Sequence, residues 1–528
     1  MTLQHILAID LGTSSVKAAL VADDGWIAAT AVEPVATLYG EGGAAEQDAE
    51  RIWSAVLAAA TRVLSAGGAA ARDVAAVTCD AQYFSVVPVG IDGRPLANLL
   101  LWHDTRGTRY SRALHRAHPH ALARWLEING MFPLPSGSDS LSHLLYVREE
   151  RPEVYARTAA FLEPADYVVA RLTGRCTANP CTAFAQLLTD NRDLSDVRYD
   201  DELLDTAGVD RAVLPELVEC GATVGTLLPE VADALGLSPA TPVLSGMNDT
   251  QAVSIGTGVF RAGRSGINVG TTCQVLGFAD ELRADLDNNL FAMPAPIPDR
   301  YTLMAENGLG ARLVDHFLHN IVFADDALAH HATADPYAGM EAALAAAPAG
   351  SGGVLFLPWL NGSQTPRASA SMRGGFLNMS LATTREHLLR AVVEGITYSL
   401  AWQLPAAERL CGTAFTELRF AGGGARSAQW AQTIADVADR PVVQMADPLF
   451  LNNRATAFHA FVRLGRVGLD EVDGFCPAGA RFEPRSENRD LYDQLSAQFQ
   501  VAYAQTRPIF EALNSRRARG AAKESTPP

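Results

Sequence analysis

Two short segments, almost half a chain apart, share one residue pattern. Ile9–Ser14 has the sequence IDLGTS, Ile267–Thr272 has the sequence INVGTT, and an apolar run follows each of them. Repetition of this kind indicates a duplicated fold with two related domains that face each other across a cleft. Each segment places glycine and hydroxyl residues at the tip of a predicted β-hairpin, where backbone N–H groups can bind phosphate oxygens. An ordinary hairpin turn has a similar composition, so a single copy leaves both interpretations open.

The first copy carries a carboxylate that the second copy lacks. Asp10 precedes the turn Gly12–Ser15, whereas Asn268 stands at the equivalent position of the second copy. A carboxylate beside a phosphate-binding turn can hold Mg²⁺ directly or through water, so we expect a metal at the first hairpin only. Lys17 follows in the second strand, where it is either a phosphate ligand or a solvated residue. The strands predicted around this turn span residues 6–10, 16–21 and 26–31.

Composition limits the classes of function. The chain has 528 residues, 48% of them hydrophobic, and domains above roughly 250 residues tend to split, so we expect two large domains. A net charge of −17 opposes binding to nucleic acid or to an anionic membrane. The first residues, MTLQHILAIDLG, lack a basic segment before an apolar run, and no stretch approaches the roughly 18 apolar residues of a membrane helix. A cytoplasmic protein with reduced, unpaired cysteines and no zinc site is expected.

A third segment, Thr241–Gly258, lies near the midpoint of the chain. Its pattern predicts a buried strand, a turn and a short helix with Asp249 at or near the helix N-terminus. The Asp249 carboxylate could cap that helix, or it could lie at the bottom of a cleft and take a proton from a hydroxyl. These interpretations are compatible with each other.

Polar and aromatic residues follow strands predicted at 74–79, 85–89 and 99–102. Such groups suit a small polyhydroxylated ligand, because aromatic rings cover C–H faces while amides and carboxylates bind hydroxyls. Capped strand ends with a tryptophan in the core are the alternative, and His103 is predicted to be a surface or core histidine. The candidate substrate-binding residues are Gln82, Tyr83, Phe84, Trp102, Asp104, Asn248 and Asp249.

The remaining pattern is mostly helical between residues 107 and 235, with helices predicted at 140–149 and 153–172. Further on, a strand at 418–420, the glycines 422–424 and a helix at 428–437 form one unit, which Ser427 can cap. Three glycines let the backbone approach a flat base, and the helix N-terminus supplies free N–H groups. The segment 516–528 is predicted to be disordered.

At this point several segments together resemble the FGGY carbohydrate kinases, especially the xylulokinase branch, over roughly residues 6–469. Each segment by itself is weak evidence for this family, but the order and spacing of all the segments together are specific to it. The matching segments are IDLGTSSVKA at 9–18, LLWHDTRG at 100–107, SGMNDTQAVSIGTG at 245–258, FLPWLNGSQTPRASASMRGGF at 356–376, LLRAVVEGITYSL at 388–400 and LRFAGGGARSAQWAQTIADV at 418–437.

The resemblance implies an α/β fold of two duplicated actin-like ATPase (ribonuclease H-like) domains around a central cleft. It implies transfer of the γ-phosphate of ATP to a sugar hydroxyl, with Asp249 as the catalytic base, Asp10 as the metal ligand, and ATP and Mg²⁺ as cofactors. The expected domains are 1–258, with the sugar site and the first phosphate loop; 259–470, with the second loop and an adenosine shelf; and 471–528, a helical extension with a disordered tail. The implied nucleotide-binding residues are Gly12, Thr13, Ser14, Ser15, Lys17, Gly270, Thr271, Thr272, Gly308, Arg312, Gly422, Gly423, Gly424 and Ser427.

The expected partners are ATP and a small sugar, with the ketopentose xylulose as first candidate; the oligomeric state stays open, a homodimer being one alternative. Two departures from the family bear on the sugar: Gln82–Phe84 reads QYF where xylulokinases usually have Gln-Met-His, and Gln364 replaces a usual Glu. A hydroxyl that lost the histidine would cost roughly 1–3 kcal/mol if left unpaired. Tyr83 could replace that partner only on an irregular backbone, because neighbouring strand residues face opposite sides.

Three alternatives therefore stay open. The acceptor could be another ketose or polyol, such as ribulose, a hexulose, a pentitol or a glycerol-like molecule. The chain could also be a non-catalytic sugar- or nucleotide-binding protein, or an actin-like ATPase that transfers phosphate to water.

Overall fold

The computed structural model describes residues 3–68, 70–328, 330–331, 333 and 335–523, and side chains as far as residue 514. The strands, in chain order, are β1 (His5–Leu11), β2 (Ser15–Ala22), β3 (Ile27–Pro34), β4 (Leu38–Tyr39), β5 (Ala45–Gln47), β6 (Val74–Ala81), β7 (Val87–Val89), β8 (Leu99–Leu100), β9 (Ala160–Leu162), β10 (Thr177–Ala178), β11 (Thr189–Asp190), β12 (Arg198–Tyr199), β13 (Glu216–Leu217), β14 (Thr223–Thr226), β15 (Pro242–Leu244), β16 (Met247–Asn248), β17 (Arg264–Val269), β18 (Thr272–Ala279), β19 (Ala284–Asp285), β20 (Leu290–Pro294), β21 (Tyr301–Leu309), β22 (Leu355–Leu357), β23 (Gly375–Leu377), β24 (Glu417–Ala421), β25 (Val442–Met445) and β26 (Ala478–Phe482).

The α-helices are α1 (Ala49–Gly67), α2 (Thr108–Ala117), α3 (Ala121–Ile128), α4 (Ser140–Glu150), α5 (Pro152–Tyr155), α6 (Pro164–Thr173), α7 (Pro180–Ala183), α8 (Asp201–Ala207), α9 (Pro229–Leu235), α10 (Asp249–Gly256), α11 (Ala311–Phe317), α12 (Pro336–Ala346), α13 (Arg385–Cys411), α14 (Ala428–Ala438), α15 (Leu451–Arg463), α16 (Val472–Phe475) and α17 (Arg489–Lys523). Among the described residues, no helix combines the length and the apolar character needed to cross a membrane.

Two large sheets share one topology. The first has the order β14-β15-β6-β1-β2-β3, and the second has the order β19-β20-β21-β18-β17-β24-β25-β26. In the first sheet the antiparallel strands β3, β2 and β1 continue into the parallel strands β6 and β15. In the second, β21, β18 and β17 continue in the same way into β24 and β25. The predicted duplication of an α/β, ribonuclease H-like domain is confirmed.

Helices cover both sheets because their apolar residues recur on one face. In α1, Ile52, Val56 and Val63 are buried at helical spacing, and the Asp48 carboxylate caps the helix by accepting from two backbone N–H groups. The long helix α13 packs against β18 and β22 in the second half of the chain.

Helix α15 crosses between the two halves. It follows the second sheet in sequence, yet it packs on β1, β2 and β6 of the first sheet and on α10. Asn453 is fully buried, and its Nδ2 donates to the carbonyl oxygens of Ala8 (3.0 Å) and Lys17 (3.1 Å). Part of the segment assigned to the second domain by sequence is therefore physically attached to the first sheet.

Two sequence predictions differ from the structure. The helix predicted over 153–172 is instead α5, β9 and α6, because β9 pairs with β7 and Pro164 begins a new helix at its first turn. The last helix, α17, continues through Lys523, so a helix occupies the first part of the segment predicted to be disordered. Residues 524–528 lie outside the described residues.

Removing the bridge made by Asn453 should destabilise the fold. In Asn453→Ala, two buried carbonyl oxygens lose a donor, which should lower the free energy of unfolding by roughly 1–3 kcal/mol and lower Tm in differential scanning calorimetry. Asn320→Ala is the matched control, because the Asn320 side chain is exposed and bonds within its own helical segment. Equal Tm values for the two variants would contradict the structural role of Asn453.

Candidate active site

The two repeated hairpins keep one geometry with different chemistry. Asp10 of β1 lies directly opposite Lys17 of β2, and the Lys17 Nζ donates to Asp10 Oδ2 at 2.6 Å. In the second hairpin Asn268 lies opposite Gln274, and Asn268 Nδ2 donates to Gln274 Oε1 at 3.2 Å. A charged pair in the first copy is thus an amide pair in the second. Although burial disfavours its charge, Asp10 raises the pKa of Lys17, so Lys17 faces the site and is not a solvated strand residue.

Asp249 is the first residue of α10, but it does not cap that helix. The cap is Asn248, whose Oδ1 accepts from Gln251 N at 2.8 Å, while Gln251 Oε1 accepts from Asn248 N at 3.0 Å. The cap interpretation of Asp249 is therefore wrong, because the neighbouring amide already satisfies the helix. Burial, together with the charge of Asp10, raises the pKa of Asp249 to about 7. A carboxylate with such a pKa is suited to proton transfer near neutral pH.

Asp80 is a residue of this site that the sequence analysis missed. It lies opposite Asp10 on the parallel strand β6 and is fully buried. Thr456 Oγ1 donates to Asp80 Oδ2 at 2.8 Å and Asn452 Nδ2 donates to Asp80 Oδ1 at 3.3 Å. Burial and Asp10 raise the pKa of Asp80. The signal in the sequence was a single acidic residue in an otherwise small and apolar strand.

The donor set fits a magnesium ion that arrives with a nucleotide. Within the part of the chain that the structure describes, no three His, Cys, Asp or Glu side chains are arranged to hold a metal by themselves. Mg²⁺ is usually bound through one or two carboxylates, with water and substrate phosphates as the other ligands. Asp10, almost fully buried beside the first turn, fits the part of such a carboxylate, and its metal-binding role stays a prediction.

Three predicted residues form one network beside the first turn. Thr13 Oγ1 donates to Gln82 Oε1 at 2.8 Å and accepts from Trp102 Nε1 at 3.2 Å. Gln82 Nε2 in turn donates to Gln47 Oε1 at 3.0 Å. The predicted phosphate turn and the predicted sugar residues are therefore in direct contact.

The backbone at Tyr83 and Phe84 is irregular, as a substitute for the missing histidine requires. Phe84 has φ +53°, a left-handed conformation that costs roughly 1–3 kcal/mol for a residue other than glycine. Both rings pack against Phe184, with centroid distances of 5.8 Å from Tyr83 and 6.0 Å from Phe84. The Tyr83 hydroxyl lies 3.1 Å from Met304 Sδ, and burial, with the charge of Asp249, raises its pKa. The Tyr83 hydroxyl thus lies near enough to Asp249 to be affected by the charge of that carboxylate.

Two predicted substrate ligands have their polar atoms occupied by the protein. Asp104 is fully buried, and its carboxylate accepts from Ala45 N at 2.9 Å and from the Arg106 guanidinium at 2.6–3.1 Å. Asn248 caps α10 with Oδ1 and donates through Nδ2 to Cys181 O at 3.2 Å. The structure does not support direct sugar contacts by these two side chains; they hold the Trp102 loop and the Asp249 helix in place.

The second turn packs against the start of α11. Gly310 N donates to Thr271 O at 3.0 Å and Ala311 N donates to Gly270 O at 2.8 Å. Gly310 was not among the predicted nucleotide-binding residues. A Cβ at this position would lie 2.7 Å from Thr272 O, so the close approach requires glycine. The neighbouring Gly308 has φ +90°. Arg312 is exposed, and its charge adds to burial in lowering the pKa of His103 from the other half of the chain.

The glycines 422–424 lie against β17, the strand that enters the second turn. A Cβ would lie 2.6 Å from Val269 O at Gly422 and 2.9 Å from the Val269 side chain at Gly424, so both approach that strand closely. At Gly423 a Cβ would meet no atom within 4 Å. Ser427 caps α14 by accepting from Trp430 N at 3.0 Å, as predicted. The surface that is open to the predicted adenine ring is therefore at Gly423.

Comparison with known proteins identifies the family. Residues 5–256 match the N-terminal domain, and residues 266–449 the C-terminal domain, of the FGGY family of carbohydrate kinases. This chain belongs to the FGGY family of carbohydrate kinases. It is accordingly a phosphotransferase with an alcohol group as acceptor, and ATP is the phosphate donor in this family.

Several individual relatives are similar to this chain over most of its length, at low sequence identity. A xylulose kinase from Bacillus subtilis (strain 168) is 28% identical over 517 residues, which cover 97% of this chain and 99% of that protein. An autoinducer-2 kinase from Klebsiella pneumoniae is 26% identical and covers 95% of this chain, with 94% of its own length matched. The crystal structure of a ligand-bound xylulose kinase from Lactobacillus acidophilus has a TM-score of 0.83 at 23% identity, covering 97% of this chain and 100% of that one. Glycerol kinase from Plasmodium falciparum has a TM-score of 0.80 at 19% identity, covering 94% and 97%.

The predicted role of Asp249 as catalytic base determines the kinetics expected of an isosteric variant. Asp249→Asn keeps the side-chain shape but removes the proton acceptor, which should lower kcat by roughly 10²–10⁴. Substrate affinities should change little, as measured by steady-state kinetics and by calorimetric titration. Asp233→Asn, at an exposed position of α9, is the matched control. A variant at position 249 with near-normal kcat would show that Asp249 is not the base.

The raised pKa of Asp249 predicts a pH dependence. Below about pH 7 the carboxylate becomes protonated and can no longer accept the acceptor's proton. The kcat/KM for the acceptor should therefore fall about tenfold per pH unit on the acidic side. The residual activity of Asp249→Asn should lack this limb, and a limb that persists in the variant would assign it to another group.

The open surface at Gly423 predicts a selective loss of nucleotide affinity. Gly423→Val puts a side chain where space is free, so the fold should stay intact while the KM for ATP rises roughly tenfold, the scale of about 1.4 kcal/mol. Gly474→Val is the matched control, since a Cβ at Gly474 also meets no atom within 4 Å. An unchanged KM for ATP would show that the adenine ring of ATP binds elsewhere.

Proposed function

We propose that this kinase transfers the γ-phosphate of ATP to a hydroxyl of a small ketose or polyol, with xylulose as the first candidate to test. The observation that carries the proposal is Asp249, a carboxylate released from helix capping by Asn248. It lies close enough to Asp10 and Lys17 to interact with their charges, and its own charge affects the Tyr83 hydroxyl. A base in that position, between a phosphate turn and sugar-binding side chains, suits transfer to a bound hydroxyl.

The reaction follows from these positions. The Trp102 N–H is occupied by Thr13, so Trp102 would contact the acceptor through its ring. Gln82 keeps one amide N–H and one oxygen lone pair for the acceptor, and Tyr83 contacts it from the kinked segment. The acceptor oxygen forms a bond to the γ-phosphorus while the bond from that phosphorus to the bridging oxygen of ADP breaks, and Asp249 takes the hydroxyl proton. Backbone N–H groups of both turns orient the phosphates. Mg²⁺ bound near Asp10 would neutralise charge that develops on the phosphate oxygens.

The identity of the acceptor rests on weaker support than the reaction. Relatives named xylulose kinase favour a ketopentose, but the histidine position is Phe84 in this chain. Tyr83, on its irregular backbone, supplies a hydroxyl near Asp249 in its place. We infer a preference that is shifted relative to ordinary xylulokinases, toward another ketose or a polyol. Cytoplasmic location and the oligomeric state stay predictions.

Coupled measurement of ADP release, with and without acceptor, separates the proposed function from its alternatives. A sugar kinase should release ADP at least tenfold faster when an accepted sugar is present. Release that does not depend on sugar would indicate an ATPase, and no release under any condition would indicate a binding protein. Asp10→Asn, which removes the predicted metal ligand, should abolish the stimulated rate.

A panel of acceptors tests the inferred shift. D-xylulose, D-ribulose, hexuloses, pentitols, tetritols and glycerol would be compared by kcat/KM. If Phe84 displaces a partner of xylulose, then Phe84→His should raise kcat/KM for D-xylulose by roughly 5- to 150-fold, the equivalent of 1–3 kcal/mol, without the same gain for other acceptors. A wild-type enzyme that clearly prefers D-xylulose with an ordinary KM would refute the argument from Phe84.

A further inference from the structure

Three side chains of the second sheet lie near the start of helix α10, which begins at Asp249: Gln274, Met304 and Glu306. Gln274 is paired with Glu306 in the register of β18 and β21, and Met304 precedes Glu306 by two residues on the same face of β21. Gln274 Nε2 donates to Thr250 Oγ1 at 3.2 Å, in the residue after Asp249. Met304 Sδ contacts the Tyr83 hydroxyl. These contacts place Glu306 on the second wall of the acceptor cleft.

The Glu306 carboxylate has unused capacity for hydrogen bonds. Oε2 accepts from Gln274 Nε2 at 3.0 Å and Oε1 accepts from Gly308 N at 3.3 Å. The Thr272 side chain also hydrogen-bonds this carboxylate. Because a carboxylate can accept about four hydrogen bonds, capacity for one ligand hydroxyl remains. Glu306 is partly exposed, and burial, with a contribution from Asp249, raises its pKa to about 7. The catalytic base and Glu306 therefore influence each other across the cleft.

Acidic side chains predominate around this cleft. Asp10, Asp80, Asp249 and Glu306 contribute four carboxyl groups. The positive charge of Lys17 favours the ionised forms of Asp80 and Asp249, but its ammonium group is paired with Asp10 at 2.6 Å. Asp249 must be ionised to accept a proton, so an acceptor with its own carboxylate would add a like charge beside it, which costs free energy in a partly buried site. Neutral hydroxyl groups have no such penalty and can donate to a carboxylate.

We propose that Glu306 is a specificity-determining residue that accepts a hydrogen bond from a second hydroxyl of the acceptor. Together with Asp249 it selects neutral polyhydroxyl acceptors over sugar acids. This inference rests on the proposed function, because it assigns the acceptor to the cleft between Asp249 and β21.

The test compares Glu306→Gln with the wild type on matched neutral and acidic acceptors: D-xylulose, D-arabinitol, D-glucitol, D-xylonate and D-gluconate. Replacing the Glu306 carboxylate by an amide removes the group that accepts the hydrogen bond from the substrate. This should lower kcat/KM for the preferred neutral compound roughly 10- to 100-fold, with the KM for ATP changed less than about twofold. The ratio of activity on D-gluconate to that on D-glucitol should rise. Glu281→Gln, at an exposed position paired with Arg283, is the matched control.

The outcomes are distinguishable. A wild-type enzyme that uses a neutral acceptor, together with a Glu306→Gln variant of unchanged acceptor kcat/KM, would overturn the inference about Glu306 and leave the proposed function intact. Equal use of sugar acids and neutral acceptors by the wild type would do the same. A parallel loss of ATP affinity and Tm in the variant would show a structural role and likewise overturn the inference. Absence of acceptor-dependent ADP release in the wild type would overturn the proposed function as well.

Discussion

Strand β1 pairs with a neighbour on each side, and this register determines the relative positions of Asp10, Lys17 and Asp80. The antiparallel pairing with β2 sets Lys17 opposite Asp10, and the parallel pairing with β6 sets Asp80 on the other side of Asp10. A shift by one residue would turn all three side chains to the opposite face. Because β1 and most of β2 are buried, that shift would also expose the core, so the apolar pattern and the site depend on the same register.

The first half of the chain cannot maintain this arrangement by itself. Thr456 and Asn452, on α15, donate to the buried Asp80 carboxylate, and Asn453 donates to carbonyl groups of β1 and β2. A buried carboxylate without such partners would be strongly destabilising. The helix that follows the second sheet therefore stabilises the charge cluster of the first, and it ties the two duplicated domains together beneath the catalytic carboxylate.

The parts of the fold and site that could be predicted are those with a local signal. The repeated hairpins, the Ser427 cap and the position of Asp249 near a helix start were all visible as short patterns. The Asn248 cap is local too, but Asn248 and Asp249 are both suitable caps by type, so the pattern did not distinguish them. The occupied carboxylate of Asp104 and the left-handed Phe84 involve neighbours far away in sequence, such as Ala45 and the ring of Phe184. Asp80, Gly310 and Glu306 were missed for the same reason, since strand register and close backbone approach give each its meaning.

The central claim is that an acceptor hydroxyl binds between Asp249 and the two phosphate turns. A crystal structure of the enzyme with ADP, Mg²⁺, aluminium fluoride and its best acceptor tests this most directly. We expect one acceptor oxygen within about 2.6–3.2 Å of an Asp249 carboxylate oxygen and in line with the fluoride group, with the phosphates held by the turns at Gly12–Ser15 and Gly270–Thr272. An acceptor bound away from Asp249, or an Asp249 carboxylate directed into the protein in that complex, would contradict the account.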